Sequence, residues 1–424
     1  MSNLIWRFKR YLRGIIPPGL LDAYHFGTAL LGALLCGFPS NHMVVLAVTG
    51  TKGKSSTTEM LNAIFEEAGH TTALINSIRF KIGTRSVPNE LRMSMPGRFF
   101  IQDFLMRARR AQCTVAILEM TSEGARQYRH RGIALDGLIF TNLAPEHIES
   151  HGSLEAYADA KYEIGLQLAR SHKRPRVMVA NADDVQSSRY LTLPVENTIP
   201  FSLAGVEPYA SDEHGGHFQF NGADISIHLP GEFSLRNAAA AATLARAFNV
   251  PTPAIARGLD KLTRIPGRAE RIEEGQDFSV VVDYAHTPDS LTALYKAYGS
   301  ARKICVLGST GGGRDTWKRP VMGGIADEYC DTIILTNEDP YDEDPRSIVE
   351  ALADGMKREP VIIMDRREAV AHALSLAQKG DAVLITGKGT DPCICGPGGT
   401  KIPWSDARVA REELTKRAQA VRAV

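Results

Sequence analysis

No other stretch of this 424-residue chain limits the possible folds as strongly as a short apolar run leading into a glycine-containing loop. Residues 43–48 are all apolar, and the loop Thr49-Gly-Thr-Lys-Gly-Lys-Ser55 follows them directly. Residues 55–68 then have apolar side chains at helical spacing, so the pattern is strand, loop and helix. The N–H groups of such a loop, together with the helix N-terminus, form a concave anion site. The sequence therefore predicts a phosphate-binding loop, in which Lys54 reaches the β- and γ-phosphates and Ser55 binds Mg²⁺.

Strands and helices alternate on both sides of a central break, which indicates two α/β domains built on parallel sheets. The break contains Pro251, Pro253 and the turn Ile265-Pro-Gly267, and we interpret it as a hinge. We predict a short helical lead-in (1–42), a central P-loop ATP-binding domain (43–250, β-rich at about 196–232) and a Rossmann-like C-terminal domain (266–424). The further strands are predicted at 72–75, 114–118, 137–140, 177–180, 278–282, 303–307, 332–335, 360–363 and 382–385.

Composition excludes several classes of protein. Hydrophobic residues make up 44% of the chain and charged residues 23%, which is typical of a globular protein and not of a disordered one. Lys and Arg number 49 against 48 Asp and Glu, so no strong global field attracts nucleic acid or an anionic membrane. No basic patch with interleaved aromatic residues is visible, which disfavours a nucleic-acid-binding ATPase. The six cysteines form no CxxC pair, which favours free thiols in a reducing cytoplasm.

The N-terminal region, residues 15–39, contains a second apolar stretch. Basic residues at 7, 9, 10 and 13 precede the apolar run 26–38, as in an export signal. The prolines at 17 and 18 separate the charges from the run, however, and the run is too short to cross a bilayer. We favour a buried or partner-facing helix; peripheral membrane contact and an export signal are the alternatives.

Acidic residues at the ends of two predicted strands extend the phosphate-loop prediction. Glu119 directly follows the strand at 114–118, and Glu146 and His147 follow the strand at 137–140. Open α/β sheets place their chemistry at the carboxyl ends of strands. Mg²⁺ bound to ATP needs oxygen ligands beyond the loop hydroxyl. Taken alone each of these side chains is equally compatible with a structural role, and their position beside the loop favours a metal site.

Several longer motifs, in the same order, resemble those of the Mur ligases, the ATP-dependent amide-forming enzymes of peptidoglycan precursor synthesis. The loop described above is the family's own variant, and the resemblance extends from about residue 46 to 406. The branch that adds the third residue of the stem peptide is the most similar. The motifs are Thr141-Asn-Leu through His147, Ala156-Tyr-Ala-Asp-Ala-Lys161, Gly267-Arg-Ala-Glu270, Val282-Asp-Tyr-Ala-His-Thr-Pro-Asp289, Gly311-Gly-Gly-Arg-Asp315 and Gly387-Lys-Gly389.

The resemblance implies that ATP phosphorylates a peptide carboxylate, and that an amine then attacks the acyl phosphate. It implies one Mg²⁺ on Ser55 and Glu119 and a second on His147, with Lys161 carbamylated so that it binds metal as an anion. Arg268 would join the site from the second domain on domain closure. Catalytic roles fall to Lys54, Lys161, His147 and Arg268. The nucleotide-binding residues implied are Gly50, Thr51, Lys52, Gly53, Lys54, Ser55, Ser56, Asn237, Arg268, Asp283 and His286.

The predicted amino-acid pocket departs from the diaminopimelate-adding members of the family. Their Asp-Asn-Pro-Arg motif holds a distant carboxylate through its arginine, whereas this chain has Glu338-Asp-Pro-Tyr341. Tyrosine forms no bidentate ion pair with a carboxylate. An acidic pocket suits an amine-tipped side chain such as lysine or ornithine, with Arg314 on the α-carboxylate. The predicted substrate residues are Arg314, Glu338, Asp339, Tyr341, Gly387 and Asp391.

Two further departures concern the acceptor and the nucleotide. About 45 residues precede the loop, fewer than the family's UDP-binding domain needs, so we leave open whether the acceptor carries UDP. The family's paired asparagines appear here as Ser234 and Asn237.

We expect a cytoplasmic ligase acting on ATP, an amino acid and a muramoyl-dipeptide-type acceptor. A folylpolyglutamate-synthase-like glutamate ligase and a non-catalytic ATP-binding subunit remain alternatives.

Overall fold

The apolar strands form two large sheets, each at the centre of its own unit in the computed structural model of the chain. The structure describes residues 18–146 and 148–422. The first unit contains the chain up to Ala210, together with His217–Ile227 and Ser234–Leu262. The second contains Ser211–Gly216, His228–Phe233 and the chain from Thr263 onward.

The first unit is built on an eight-stranded sheet with the order β4-β3-β2-β5-β1-β6-β7-β8. β2, β5, β1, β6, β7 and β8 are parallel neighbours, and β3 and β4 extend the edge as an antiparallel hairpin. The five parallel strands from β2 to β7 are buried except for the half-buried Val44 at the start of β1, which explains why each reads as a largely apolar run. The strands are β1 (Val44–Thr49), β2 (Thr72–Ile75), β3 (Arg79–Ile82), β4 (Arg85–Pro88), β5 (Val115–Glu119), β6 (Gly137–Phe140), β7 (Val177–Asn181) and β8 (Asn197–Phe201).

Helices cover this sheet, and most of them begin or end at residues that the sequence marks. Ser153 caps the helix Leu154–Ala169 by accepting a hydrogen bond from the Ala156 N–H at 3.0 Å. The helices described in this part of the chain are α1 (Pro18–Leu35), α2 (Lys54–Glu67), α3 (Arg98–Arg110), α4 (Ser122–Arg126), α5 (Ile148–His151), α6 (Leu154–Ala169), α7 (Ser187–Leu191), α8 (Glu232–Ala247) and α9 (Thr252–Asp260).

Short strands between β8 and α8 form a separate three-stranded sheet in the order β11-β10-β9. Their ranges are β9 (Tyr209–Ser211), β10 (Gly216–Phe220) and β11 (Ala223–Ile227). The alanine-rich helix α8 follows, and nearly all its alanines are fully buried.

The second unit is built on a six-stranded sheet with the order β12-β13-β17-β14-β15-β16. All neighbours are parallel except β12, which pairs with β13 in the antiparallel sense. Apolar clusters lie on both faces of this sheet. Its strands are β12 (Glu270–Arg271), β13 (Ser279–Val282), β14 (Lys303–Leu307), β15 (Thr332–Leu335), β16 (Val361–Ile362) and β17 (Ala382–Ile385). The remaining elements are α10 (Pro288–Ala297), α11 (Lys318–Tyr329), α12 (Pro345–Ala353), α13 (Arg366–Leu376), the β18 (Cys393–Cys395) and β19 (Lys401–Pro403) hairpin, and α14 (Asp406–Arg422).

The expected α/β class, with a P-loop unit and a second parallel-sheet unit, is confirmed. The expectation of free thiols is wrong for two cysteines, because Cys305 and Cys330 form a disulfide. Cys305 lies in the buried strand β14, and Cys330 directly follows α11. Their Cα atoms are 6.2 Å apart, within the usual range for a disulfide, although 25 positions separate them in sequence. Among the described residues no helix is long and apolar enough to span a membrane.

Candidate active site

The loop between β1 and α2 requires glycine at two positions. Gly50 has φ 141° and Gly53 has φ 81°, and both values lie in the region that disfavours other residues. A Cβ atom on Gly50 would collide with the Thr141 hydroxyl, and one on Gly53 would collide with the Asn237 side chain. The loop is therefore held against Thr141 and Asn237, and α2 begins immediately after Gly53. This is the anion-binding geometry that the sequence predicts.

Hydrogen bonds from the loop to Asn142 fix its backbone. The Thr51 N–H donates to Asn142 O at 2.8 Å, and the Lys52 N–H donates to Asn142 Oδ1 at 2.9 Å. Thr141 Oγ1 donates to Lys52 O at 2.7 Å. The Lys54 ammonium donates to Thr51 O at 2.8 Å, so its charge lies over the loop. Ser56, also predicted to bind nucleotide, is half-buried in the first turn of α2.

A cluster of oxygen atoms lies at the start of α2. Ser55 Oγ donates to Glu119 Oε2 at 2.8 Å and lies 2.7 Å from Ser77 Oγ. The Ser77 N–H also donates to Glu119 Oε2, at 3.0 Å. Hard oxygen donors of this kind fit Mg²⁺, which retains several water and phosphate ligands and so needs few from the protein. His147, the predicted ligand of a second ion, lies outside the described residues. Within the described part of the chain no three His, Cys, Asp or Glu side chains group to hold a metal.

Lys161, on α6, is buried beside the same loop. Its ammonium donates to Gly50 O at 2.7 Å and lies 4.5 Å from the centre of the Tyr157 ring. Burial lowers the pKa of Lys161 well below its usual value, and the nearby Lys54 charge lowers it further. The charge of Glu146 raises the pKa of Lys161, and Glu146 also forms an ion pair with Lys52 at 3.1 Å. This environment favours the neutral amine of Lys161 over its ammonium form.

In the second unit, the three predicted nucleotide-binding residues Arg268, Asp283 and His286 lie within one cluster. Asp283 accepts hydrogen bonds from the Ala269 and Ala285 N–H groups, both at 2.6 Å. The Arg268 guanidinium lies 4.6 Å from the centre of the Tyr284 ring, and His286 Nδ1 lies 2.6 Å from Tyr284 O. Asn237, the fourth predicted residue, belongs to the first unit, where it contacts the phosphate loop.

The predicted amino-acid pocket contains a lysine that the sequence analysis did not single out. Lys388 is fully buried, and its ammonium donates to Asp339 Oδ1 at 2.8 Å and to Asp391 Oδ2 at 3.3 Å. Asp339 also accepts the Cys395 N–H at 2.7 Å. The acidic character expected of Asp339 and Asp391 is therefore partly neutralised by this lysine.

Glu338 provides the remaining negative charge of this cluster. Its Oε1 accepts from Thr310 Oγ1 at 2.8 Å, whereas its buried Oε2 has no hydrogen-bond partner among the described residues. Burial raises the pKa of Glu338, and the Lys388 charge opposes that rise. Gly387, with φ 104°, leaves room for this carboxylate because a Cβ atom there would collide with it. Nearby, the Arg314 guanidinium lies 5.1 Å from the centre of the Tyr341 ring.

Three site residues, Ser77, Asn142 and Lys388, were given no role from the sequence, although Asn142 and Lys388 lie within the motifs that carry the resemblance. Each closely follows a strand that the sequence does predict, namely β2, β6 and β17. Polar residues at the carboxyl ends of parallel strands were the available signal. Their partners are distant in sequence, 90 positions for Asn142 with Lys52 and 49 for Lys388 with Asp339, so pairing them required the fold.

Two family profiles and many curated proteins match this chain. The family profile described as Mur ligase middle domain matches residues 48–245, and that of the Mur ligase, glutamate ligase domain matches residues 267–389. A UDP-N-acetylmuramoyl-L-alanyl-D-glutamate–2,6-diaminopimelate ligase of Syntrophomonas wolfei is 35% identical over 380 residues, covering 85% of this chain and 76% of the relative. A UDP-N-acetylmuramyl-tripeptide synthetase of a Roseiflexus species is 35% identical over 434 residues, covering 95% and 85%.

Solved structures show the same fold. The structure of a UDP-N-acetylmuramoyl-L-alanyl-D-glutamate–2,6-diaminopimelate ligase is 27% identical with a TM-score of 0.61, covering 89% of this chain and 79% of that one. A folylpolyglutamate synthase of Mycobacterium tuberculosis, complexed with ADP, has a TM-score of 0.68 at 18% identity, covering 91% and 96%. The similarity to the synthase extends to the fold alone. On its sequence matches and its phosphate loop, this chain belongs to the Mur ligases, the ATP-dependent, ADP-forming ligases of peptidoglycan stem peptides.

Proposed function

We propose that this chain adds an amino acid to a muramoyl-dipeptide-type acceptor, the step that makes a tripeptide. The observation that carries the proposal is the Ser55–Glu119 oxygen pair at 2.8 Å beside a glycine loop under Lys54. It occurs in a chain 35% identical to third-residue ligases over most of their length. We assign the phosphate loop and its metal site to residues 43–250, and the incoming amino acid, with further nucleotide contacts, to residues 266–424.

The chemistry proposed is transfer of the γ-phosphoryl group to the acceptor carboxylate, followed by attack of the amine on the acyl phosphate. Phosphoryl transfer depends mainly on positioning and on neutralising charge. Lys54 supplies a cation over the loop, and the loop N–H groups orient the phosphates. Mg²⁺, when bound at Ser55 and Glu119, would supply further neutralisation of the phosphate oxygens.

Lys161 is proposed to be carbamylated. Its neutral amine would attack carbon dioxide, forming an N–C bond and releasing one proton, so that a buried cation is replaced by an anion. An anion at this position has Lys54 and Lys52 as neighbouring charges. It could also bind a second Mg²⁺ together with His147.

For the nucleotide we propose that Asn237, Arg268, Asp283 and His286 contact the adenosine and phosphates. Arg268 has the fixed charge suited to phosphate, and its stacking on Tyr284 limits the conformations of its side chain. Asp283 already accepts two backbone N–H groups, which keeps its carboxylate oriented.

We propose that the added amino acid has an amine-tipped side chain. The buried Glu338 Oε2 would accept from that amine, and Arg314 would bind the α-carboxylate. Lys388 reduces the pocket's negative charge, so Glu338 carries the selectivity more than Asp339 or Asp391. A panel of lysine, ornithine and diaminopimelate, read by phosphate release, tests this assignment, and preference for diaminopimelate would exclude it.

The experiment that tests the function is ATP-dependent ligation across acceptors, with product identified by mass spectrometry. Muramoyl-dipeptide acceptors with and without UDP form the main arm, and a folate acceptor with glutamate forms the comparison arm. We expect a tripeptide and ADP in the main arm, and loss of turnover for Lys54→Ala. Glutamylation of folate alone would replace the proposal, as would ATP binding without any ligation. The dependence on ATP leads us to place the reaction in the cytoplasm.

A further inference from the structure

The helix α1 (Pro18–Leu35) buries its small residues and exposes its large apolar residues. Its small residues Ala29, Gly32 and Ala33 are buried, and a Cβ atom on Gly32 would lie 3.4 Å from the Phe99 ring. Its large apolar residues face outward, with Leu20, Tyr24, Leu34 and Leu35 each at least 60% exposed. A surface helix of a globular protein usually buries its large apolar residues and exposes polar ones.

The outward residues form a continuous stripe. Positions 20, 24, 27, 31 and 34 recur at helical spacing and lie on one face, and all are exposed. The only charged residue of α1 is Asp22. By contrast, the exposed Val185 lies in a turn, and the exposed Ile402 lies between Lys401 and Pro403 in the short strand β19. A contiguous apolar patch of this kind marks an interaction surface.

The charges that border α1 are mainly positive. α3 (Arg98–Arg110) packs on α1 and contains four arginines and one aspartate. Arg98 contacts His25 and the Tyr24 ring near the start of α1. Just after the end of α1, burial raises the pKa of Cys36, and the nearby charge of Arg110 opposes that rise. The segment 122–131, whose Tyr128 packs edge-on against Phe26, contains three arginines and one glutamate.

The sequence that leads into α1 has the same character. Residues 1–17 contain Arg7, Lys9, Arg10 and Arg13, no acidic residue, and aromatic residues at positions 6, 8 and 11. Because the whole chain has a net charge of only +1, the residues outside these segments are net negative. Of the described residues, the two segments that contact α1, 98–110 and 122–131, contain seven arginines against one aspartate and one glutamate.

We propose that α1 is an interfacial helix that places its outer stripe in the surface of an anionic lipid bilayer. Apolar side chains would enter the acyl boundary while arginines of α3 and of the segment 122–131 bind lipid phosphates. At 18 residues, about 27 Å, the helix lies along the surface and does not cross it. A bilayer accounts for both the stripe and the charges.

The other possible occupants account for only one of these features. Residues 1–17 folded back over the stripe would bring four cations beside the arginines of α3, which is unfavourable. A second copy of the chain would likewise bring two basic surfaces together. Both alternatives are distinguished by the experiment.

The test is flotation of the full-length chain with vesicles of phosphatidylcholine alone or mixed equally with phosphatidylglycerol, without ATP or acceptor. We expect binding to the mixed vesicles only, weakened as NaCl rises from about 0.05 M to about 0.5 M. The double variant Leu31→Ser/Leu34→Ser should bind about tenfold more weakly. Replacing the exposed Arg107, Arg109 and Arg110 of α3 with Gln should remove the preference for anionic lipid. The control Val185→Ser, at an exposed site outside α1, should bind as wild type does.

Several results would overturn the proposal. One is absence of binding to the mixed vesicles by a chain that circular dichroism shows to be folded. Another is equal binding by Leu31→Ser/Leu34→Ser. A dimer in light scattering that this variant dissociates, without vesicle binding, would assign the stripe to a second copy. Loss of unfolding free energy in the variant, without vesicle binding, would assign it to residues 1–17. Because the readout needs no ligation, its failure is separable from failure of the proposed function.

Discussion

At the scale of single residues, the fold changes the chemistry of side chains that look ordinary in the sequence. Lys161 and Lys81 are both buried lysines, but their surroundings differ. Lys81 has an ion pair with Glu66 at 2.6 Å and donates to Thr72 Oγ1 at 2.9 Å. Lys161 donates to a carbonyl, and its pKa is lowered by burial and then by the charges of Lys54 and Lys52. The environment of Lys161 therefore favours the neutral amine.

This contrast predicts different behaviour of the two lysines towards carbon dioxide. Incubation with ¹³C-bicarbonate should give a carbamate carbon signal by NMR in the wild type and in Lys81→Met, but none in Lys161→Met. We expect ligation by Lys161→Met to fall at least about a hundredfold, because an anion near the phosphates is lost. Full activity in a wild-type sample that shows no carbamate signal would contradict the prediction.

At the scale of elements, the loop between β1 and α2 joins local backbone geometry to tertiary contact. Gly53 and Gly69 both have positive φ, 81° and 87°, and they flank the same helix α2. Space around them differs, since a Cβ atom on Gly69 would have no neighbour within 4 Å, whereas one on Gly53 would collide with Asn237. Substitutions at these two glycines therefore distinguish the cost of backbone strain from the cost of a steric clash.

We predict that Gly53→Ala weakens ATP binding severely, whereas Gly69→Ala costs only backbone strain of about 1 kcal/mol in unfolding free energy. The alanine at 53 must displace Asn237 and with it the phosphate loop. Titration calorimetry with ATP and chemical denaturation measure the two effects. Equal ATP affinity in both variants would show that contact with Asn237 is dispensable.

In the second unit, a buried ion pair joins the starts of two helices, α13 and α14. Arg366 donates to both carboxylate oxygens of Asp406 at 2.8 and 2.7 Å, and Trp404 Nε1 donates to Asp406 Oδ1 at 2.7 Å. Both side chains are almost completely buried, at 1% and 0% exposed. Removing one partner leaves the other charge buried and unpaired.

Asp406→Asn should therefore lower the unfolding free energy by about 3–5 kcal/mol. The matched control is Glu350→Gln, which breaks the exposed pair with Arg346 on α12 and should cost less than about 0.5 kcal/mol. Urea unfolding followed by circular dichroism measures both. A cost for Asp406→Asn as small as that of the control would mean that the buried pair adds nothing to stability.

At the scale of the whole molecule, a net charge of +1 conceals an uneven distribution that the composition does not reveal. Basic residues border α1, and cations and carboxylates alternate around the phosphate loop and Lys388.

The stability of the whole molecule also depends on buried titratable groups. His130 is the clearest case, since it is 1% exposed and neither ring nitrogen has a hydrogen-bond partner among the described residues.

Burial, followed by the charges of Arg131 and Arg170, lowers the pKa of His130 to about 3. The unfolded chain binds the proton at a pKa of about 6.5, so the stability due to neutral His130 is present above that pH and is lost as the pH falls towards 3. We predict that the wild type loses about 2 kcal/mol more unfolding free energy than His130→Leu between pH 7.5 and pH 5.

Denaturant unfolding at the two pH values measures this difference. The exposed His172 provides the control, because His172→Leu should keep the wild-type dependence on pH. If His130→Leu also kept that dependence, the folded chain would bind a proton at His130 without cost.

Much of the fold follows from local pattern. The apolar runs at 72–75, 137–140, 303–307, 332–335 and 382–385 are strands with those same bounds, because buried parallel strands need no polar face. The hairpin of β3 and β4 was not predicted, since its short strands carry exposed and charged residues. Likewise, the spacing of residues predicted the glycine loop but not its contacts with Thr141, Asn142 and Asn237.

The α/β class, the phosphate loop and the family can be recognised from the amino-acid sequence, because each is encoded in residues close together in the chain. Four features become visible only in the folded chain: the strand order β4-β3-β2-β5-β1-β6-β7-β8, the pairing of Lys388 with Asp339, the Cys305–Cys330 disulfide and the outward stripe of α1. Apart from the stripe, each of these brings together side chains or strands that lie far apart in sequence. The stripe depends on which face of α1 finds a packing partner. Hydrophobic periodicity shows that a helix has faces, but the direction in which a face points is set by what packs against it.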